Sequence, residues 1–595
     1  MQENQFNNQT EVHDKNSKIV AIFMLIVVIF IIFLFAMLFS VVKPRELPSI
    51  AAKYISKAQR GSIVSADGYT LATSKKLYKM VVDNRFIDPQ KEELFLSLVS
   101  IYSKISVEEL RTRLHRRRGN VVLSYSVAQK EAKYLKRLTY ELQRLHVFKR
   151  IKDPKTGILM LHGLSVRESG ESRLYPYGNL LTPIIGYPHK IEINNYTTVE
   201  GIKGLEKKFN EELFAQQDAK KIGPRDANGY IILNSKSDTK RQINGVDIHL
   251  TIPVSLQFKI EHMLDEMKQY IGAKEIMIAI MDIKTSNILA LASSNRYLPK
   301  HIRRSDYPSL RSGMTEYSFE PGSVIKPITF SLLLDKGLIN PYDLVNAHNG
   351  RYRIGRKIIT DEHRFDWISA ENIIVYSSNI GIAQLAQKLS GYEFYQGLLD
   401  FGFAQKSTPD LIYERKGSIP DQTRLNNELY KATTSYGYGL RVNLMQLIRA
   451  YSVFNNNGAM LTPRIVDYFV DAKGKKEYIP PQEPLQVIKP STAQRVKKVL
   501  IKTVLKGTGK KAITPGLEIG GKTGTAHKVE KGKYISKYNT TFMGFANDAK
   551  HRYTIGVVVI EPTISQFASK TAVPTFKKAV EIMIEEGYLH PQIIK

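Results

Sequence analysis

Three short strings in this 595-residue chain combine hydroxyl, amine and amide groups at spacings suited to acyl transfer: Ser323-Val-Ile-Lys326, Ser377-Ser378-Asn379 and Lys522-Thr523-Gly524-Thr525. A serine hydroxyl attacks a carbonyl efficiently only when a neighbouring base takes its proton. A lysine can be that base if its pKa falls from about 10.4 to roughly 7 or 8, which burial and a second positive charge can achieve. Each string alone is weak. The Ser-x-x-Lys spacing recurs at Ser40/Lys43 and Ser237/Lys240, Ser-x-Asn at Ser293/Asn295, and Lys-Thr-Gly at Lys155 to Gly157. Context separates them. Ser323 follows Glu320-Pro321-Gly322 and leads into Ile325, Ile328, Leu332 and Leu333, apolar at helical spacing. Pro327 suits that helix only in its first turn, so the helix starts at Ser323. Residues three apart share a helix face, which brings Lys326 within reach of the Ser323 hydroxyl.

Other chemistries have less support. Gly516-Leu-Glu-Ile-Gly-Gly521-Lys522-Thr523 fits the phosphate-cradling pattern GxxxxGK[ST], which requires a buried strand before it and a helix after it. Lys510, Lys511 and Pro515 occupy the strand position, and Gly524 stands where the helix should grow. Two glycines ahead of Lys-Thr-Gly-Thr better suit an extended strand whose backbone a substrate approaches closely. No cysteine is present, so a disulfide framework and thiolate metal sites are excluded, and without an HExxH pair a zinc hydrolase has little support; no metal or cofactor is expected. The excess of 86 Lys+Arg over 56 Asp+Glu, a formal charge of +30, favours anionic partners without choosing among them. The densest basic run, Arg111, Arg113, Arg116, Arg117 and Arg118, reads as a solvated helix face or a lipid or partner contact, and no nucleic-acid role is expected.

The elements that must position these groups follow from the hydropathy pattern. From Ile19 to Val42 every residue is apolar except Ser40; these 24 residues at about 1.5 Å each span about 36 Å, enough for a hydrocarbon core of ~30 Å. The run exceeds the apolar stretch of a cleavable signal, roughly 7 to 15 residues, and is expected to be a retained anchor behind a cytoplasmic tail, residues 1–18. Lysines and arginines flank both ends, so charge alone does not orient it. A linker is expected over 43–59, with Pro44 and Pro48, then a pedestal domain over 60–242 and a catalytic domain over 243–595. Arg60 to Ala72 reads as short strands around an Asp67-Gly68 turn, and Val127 to Leu145 as a helix. Met277 to Asp282 and Ile288 to Ser293 read as a buried hairpin, Tyr553 to Glu561 as another strand and Thr575 to Glu586 as an amphipathic helix. The expected fold class is α+β: an N-terminal transmembrane helix, an elongated mixed α/β pedestal, and a domain with a central antiparallel sheet flanked by helices.

Taken together, these residues resemble the class B penicillin-binding proteins, and within them the division-specific FtsI type. The likeness extends over Arg60-Gly-Ser-Ile-Val-Ser-Ala-Asp-Gly-Tyr-Thr-Leu-Ala72, Gly201-Ile-Lys-Gly204-Leu205-Glu206, Val246 to Gln257, Glu320-Pro-Gly-Ser-Val-Ile-Lys-Pro327, Tyr376-Ser-Ser-Asn-Ile-Gly-Ile-Ala383, Ser435 to Tyr451 and Gly520-Gly-Lys-Thr-Gly-Thr-Ala526. The decoys at Ser293 and Lys155 precede the nucleophile, the reverse of the order in serine β-lactamases and penicillin-binding proteins. The resemblance implies that Ser323 attacks the bond between two terminal D-alanines of a peptidoglycan stem peptide and that Lys326 accepts its proton. It further implies that Ser377 relays that proton, that Asn379 holds the substrate amide, and that Lys522, Thr523, Gly524 and Thr525 engage the donor's terminal carboxylate. The backbone N–H groups of Ser323 and Thr525 would form the oxyanion hole. Acylation by β-lactams is implied, as are a polytopic membrane glycosyltransferase and other divisome proteins as partners, with the catalytic domain outside the cytoplasmic membrane and no glycosyltransferase domain in this chain. An elongation-type enzyme, a β-lactam-hydrolysing relative or a sensing relative would share the strings. Two positions depart from the family: Ile283-Lys-Thr-Ser286 stands where a Pro and a Gly usually form a hairpin turn, and Asn443-Leu444 replaces Thr-Pro.

Overall fold

A computed structural model describes residues 3–42, 51–149, 151–152, 159–160, 163–193, 196–226, 231–235, 237–530 and 532–592. The expected anchor forms the second half of helix α1 (Glu3–Val42); Asn16–Val42 is long and apolar enough to cross a membrane, and its side chains from Ile19 onward are almost all exposed. Residues 43–50, with Pro44 and Pro48, and the Lys155 to Gly157 decoy lie outside the described residues. The second part of the expected linker is not a free tether. Strand β1 (Ala51–Ser56) pairs antiparallel with Ala219–Pro224, which pairs in turn with Asp238–Lys240. Asp218 holds the next step, accepting from the backbone N–H of Ala58 and from Lys57 Nζ.

Around the Asp67-Gly68 turn, β2 (Ile63–Val64) and β3 (Thr70–Asp83) form the expected antiparallel pair, with Gly68 at φ +84° and Ser65 Oγ bonded to Asp67. The long β3 continues into a head region. Helices α2 (Glu92–Ser103) and α3 (Val107–Leu114) precede β4 (Asn120–Ala128), α4 (Gln129–Arg144) follows it, and β4 and β5 (Ser165–Leu174) both pair antiparallel with β3. Phe95, Leu110, Val121, Leu135 and Leu142 close this region's own apolar core. The five clustered arginines divide: Arg111 and Arg113 lie on α3, whereas Arg116, Arg117 and Arg118 follow it in turns.

The pedestal base and the catalytic half share a sheet. Asp247–Leu250 runs parallel to β2 and antiparallel to Val466–Val470, so a strand more than 200 residues along the chain completes the sheet begun at Ile63. Beyond it, α5 (Val254–Ile271) leads to the hairpin β6 (Glu275–Asp282) and β7 (Ile288–Ser293), antiparallel as expected. At the turn between them Ser286 adopts φ +64°, the region a glycine would take without strain; Asp282 stabilises the turn, accepting from Lys284 N and Thr285 Oγ1.

The helix expected behind Ser323 is α6 (Lys326–Asp335), with Pro327 in its first turn. A small hairpin, β8 (Arg351–Ile354) and β9 (Lys357–Thr360), precedes α7 (Ala370–Val375) and α8 (Asn379–Ala386). Helix α9 (Leu444–Asn455) starts at the second departure from the family: Asn443 Oδ1 accepts from Gln446 N while Gln446 Oε1 accepts from Asn443 N, a reciprocal cap that replaces the threonine's. Helix α10 (Pro490–Lys506) leads into β10 (Glu518–Glu530), β11 (Lys533–Asn547) and β12 (Arg552–Ile560), and α11 (Ala572–Glu585) closes the domain. The central sheet has the order β7-β6-β12-β11-β10, all antiparallel, with strands from both ends of the domain. Strand alternation divides β6: Ile276, Ile278 and Ile280 pack with α5 and α11, while Met277, Ala279 and Met281 pack with the helical region containing α6 and α9. Both faces are covered, which is why β6 reads as an unbroken apolar run.

Candidate active site

Ser323 sits in a 3-10 turn, Gly322–Ile325, that passes directly into α6. Two glycines let this turn press against its neighbours. Gly322 adopts φ +61°, and a Cβ on Gly524 of β10 would lie 2.6 Å from the Pro321 carbonyl oxygen. Gly524 therefore has a task the sequence did not reveal: it lets β10 lie against the turn that carries Ser323. From behind, the buried Tyr451 hydroxyl donates to the Val324 carbonyl at 2.7 Å.

Ser377 joins α7 to α8 at φ +63°, a conformation costing a non-glycine residue about 1 to 3 kcal/mol. The residues that follow it are fixed by Asp361, just after β9. Its carboxylate accepts from the Ser378 hydroxyl and from the backbone N–H groups of Asn379 (2.5 Å) and Ile380 (3.0 Å), placing a negative charge at the N-terminus of α8. Ser378 Oγ also accepts from Gly381 N at 2.9 Å, and Asn379 Nδ2 donates to the Thr360 carbonyl at 3.0 Å.

Two lysines converge on Ser377. Lys326 Nζ donates to Ser377 O at 2.5 Å and Oγ at 3.1 Å; Lys522 Nζ donates to Ser377 Oγ at 2.9 Å and to Thr523 O at 3.1 Å. Both are fully buried. Burial pulls the Lys326 amine down to about 7, opposed in part by Asp361 and Glu362. Burial also drives Lys522 well below its ordinary value, and the positive charge of Lys326 adds to the effect. Desolvation rather than the second lysine thus dominates at Lys326, and the two amines resist carrying two charges around one hydroxyl. The Ser323 hydroxyl makes no hydrogen bond among the described residues, so Lys326 is turned toward Ser377 in this state. Thr523 Oγ1 is fixed by Thr508 Oγ1 at 2.7 Å. The eight positions expected from the sequence thus come from three neighbouring elements. Asp361, Tyr451 and Thr508 were missed, because each acts across the fold with no local spacing to betray it.

The order of strings, sheet and helices matches known proteins. The family described as "Penicillin binding protein transpeptidase domain" matches residues 276–581, and "Penicillin-binding Protein dimerisation domain" matches residues 55–250. "Peptidoglycan D,D-transpeptidase FtsI" of Buchnera aphidicola subsp. Baizongia pistaciae is 26% identical over 98% of this chain and 99% of its own. "Probable peptidoglycan D,D-transpeptidase PenA" of Neisseria gonorrhoeae is 30% identical over 69% of this chain and 68% of its own.

This chain is a class B penicillin-binding protein of the FtsI type. Its fold is also that of Penicillin Binding Protein 2X from Streptococcus thermophilus, at TM-score 0.74 and 20% identity over 90% of this chain and 81% of that one. Penicillin binding protein 3 from Mycobacterium tuberculosis aligns at TM-score 0.64 and 21% identity over 91% of this chain and 98% of that one. As a member of this family it is a serine-type peptidoglycan D,D-transpeptidase that β-lactams bind.

Proposed function

We propose that Ser323 is the acyl-accepting nucleophile and that this class B penicillin-binding protein cross-links stem peptides during septal wall synthesis. The observation that carries the site assignment is the convergence of two buried lysines on Ser377, one of them in the first turn behind Ser323. The Ser323 oxygen bonds to the carbonyl carbon of the donor's penultimate D-alanine while Lys326, neutral, takes the hydroxyl proton. That proton passes through Ser377 to the nitrogen of the terminal D-alanine, which leaves as a neutral amine when the amide C–N bond breaks. An amine of a second stem then attacks the ester carbonyl and loses a proton to Lys326, which returns that proton to the Ser323 oxygen as the ester C–O bond breaks. Backbone N–H groups of Ser323 and Thr525 stabilise the oxyanion, a contribution of about 2.7 to 4 kcal/mol per donor. Lys522, Thr523, Gly524 and Thr525 receive the donor carboxylate, whose charge relieves the repulsion between Lys522 and Lys326, and Asn379 orients the donor amide.

The anchor, pedestal and catalytic domain would be ordered from a cytoplasmic N-terminus through the cytoplasmic membrane to an extracytoplasmic catalytic domain, with a polytopic membrane glycosyltransferase and other divisome proteins as partners. The test is formation of cross-linked muropeptides by the full chain. Ser323→Ala should abolish it, and Lys326→Arg, which keeps charge and approximate size but not the neutral base, should lower it several hundred-fold or more. Wild-type rates in Lys326→Arg would remove that residue from the base role. For the septal reading, a fluorescent fusion should gather at midcell; uniform wall labelling would point to elongation instead.

A further inference from the structure

We infer that the outer edge of β4 in the pedestal head is a docking site for an extended, acidic segment of another polypeptide, added as a further strand. A cleft of about 870 Å³ runs beside β4 and is lined by every residue from Val121 to Ala128. Successive strand side chains point to opposite faces, so a cavity touching eight consecutive residues lies along the strand's edge rather than over one face. Among the described residues β4 pairs only with β3, leaving that edge without a strand partner. Two side chains now stand where a strand's donors would be: Arg113 Nη1 donates to the Leu123 carbonyl, and Arg117 Nε donates to the Asn120 carbonyl at 2.9 Å. Exposed edges commonly carry such polar protection, and the same carbonyls are what an added strand would bond.

Charge chooses the occupant. Lys104, Arg113, Arg116 and Arg117 line the cleft against one carboxylate, Glu131, which Lys104 pairs at 3.0 Å. Arg113 also pairs with Glu109, one turn earlier on α3, while Arg116 has no side-chain partner among the described residues. An extended peptide with carboxylates at alternate positions could place them on these cations while its backbone met the strand edge. Eight residues at about 3.3 Å each make a contact of about 26 Å, the scale of other strand-addition sites.

The probe is a fluorescent acetyl-(Glu-Val)4-amide titrated against the full chain in detergent micelles and read by anisotropy. It should bind at least tenfold more tightly than the matching (Lys-Val)4 peptide and weaken at least tenfold when alternate backbone nitrogens are methylated. The variants Arg116→Glu and Arg117→Ala should also weaken it at least tenfold, with labelling by a fluorescent penicillin unchanged to show that the fold is intact. Absence of binding, equal binding of acidic and basic peptides, or indifference to N-methylation would overturn the inference. So would binding to phosphatidylglycerol vesicles that the same variants abolish while the peptide is ignored, which would make the patch a membrane contact.

Discussion

At the scale of single residues, the site is governed by dehydration of amines. Burial pulls the Lys326 amine down to about 7, toward the free base that the proposed nucleophile Ser323 needs near neutral pH. The sign is fixed: below that value the base is protonated, so β-lactam acylation should fall about tenfold per pH unit as the solution is acidified, and level off above it. Stopped-flow acylation at sub-saturating β-lactam between pH 5 and 9 checks this, and a rate flat from pH 5.5 to 7.5 would contradict it. The apparent value belongs to Lys326 and Lys522 together, since the second amine shares the Ser377 hydroxyl. The lysines and serines were legible in the sequence because their order and the helix start at Ser323 are local. Their direction was not: spacing aimed Lys326 at Ser323, whereas the folded chain aims it at Ser377, which only the packing of α6 against the α7–α8 turn decides.

At the scale of elements, the turn between α7 and α8 that carries Ser377 is braced by a residue from elsewhere. Asp361 follows the β8–β9 hairpin and accepts three hydrogen bonds at the start of α8. Asp361→Asn keeps the size but replaces one acceptor oxygen with a donor, leaving at least one group unsatisfied at a cost of about 1 to 3 kcal/mol. Acylation of Ser323 should slow by about tenfold or more and thermal stability should fall; an unchanged acylation rate would show that α8 holds Ser377 and Asn379 without it. Asp361 lies 17 residues before Ser378, with helix α7 between them, and no periodicity links them. The central hairpin and the β12 strand were readable because a sheet covered on both faces leaves unbroken apolar runs. The role of Gly524 was not readable: the close approach expected of this strand rested on Gly520 and Gly521, whereas at Gly524 the near neighbour is the protein's own Pro321.

At the scale of the whole molecule, the boundary between pedestal and catalytic domain is less clean than composition suggested. One apolar cluster runs from Ile63, Leu71, Leu205 and Ile248 in the pedestal base to Ile325, Leu333 and Leu444 around the site, and Lys203 pairs with Glu316 just before the Ser323 turn at 2.7 Å. The head has a separate core built on Phe95, Leu110 and Leu135. Sequence could not reveal this, because Val466–Val470 links its neighbour Lys476–Tyr478 to a sheet whose remaining strands lie far upstream. Hydrogen exchange should therefore show the head opening on its own while the pedestal base exchanges together with the catalytic domain; a base that opens with the head would contradict that division. The central claim, acyl transfer through Ser323, is tested most directly by peptide mapping of the intact chain after reaction with benzylpenicillin. The adduct should fall on the peptide containing Ser323 and be absent from Ser323→Ala, whereas an adduct on any other residue, or an undiminished one in that variant, would contradict the account.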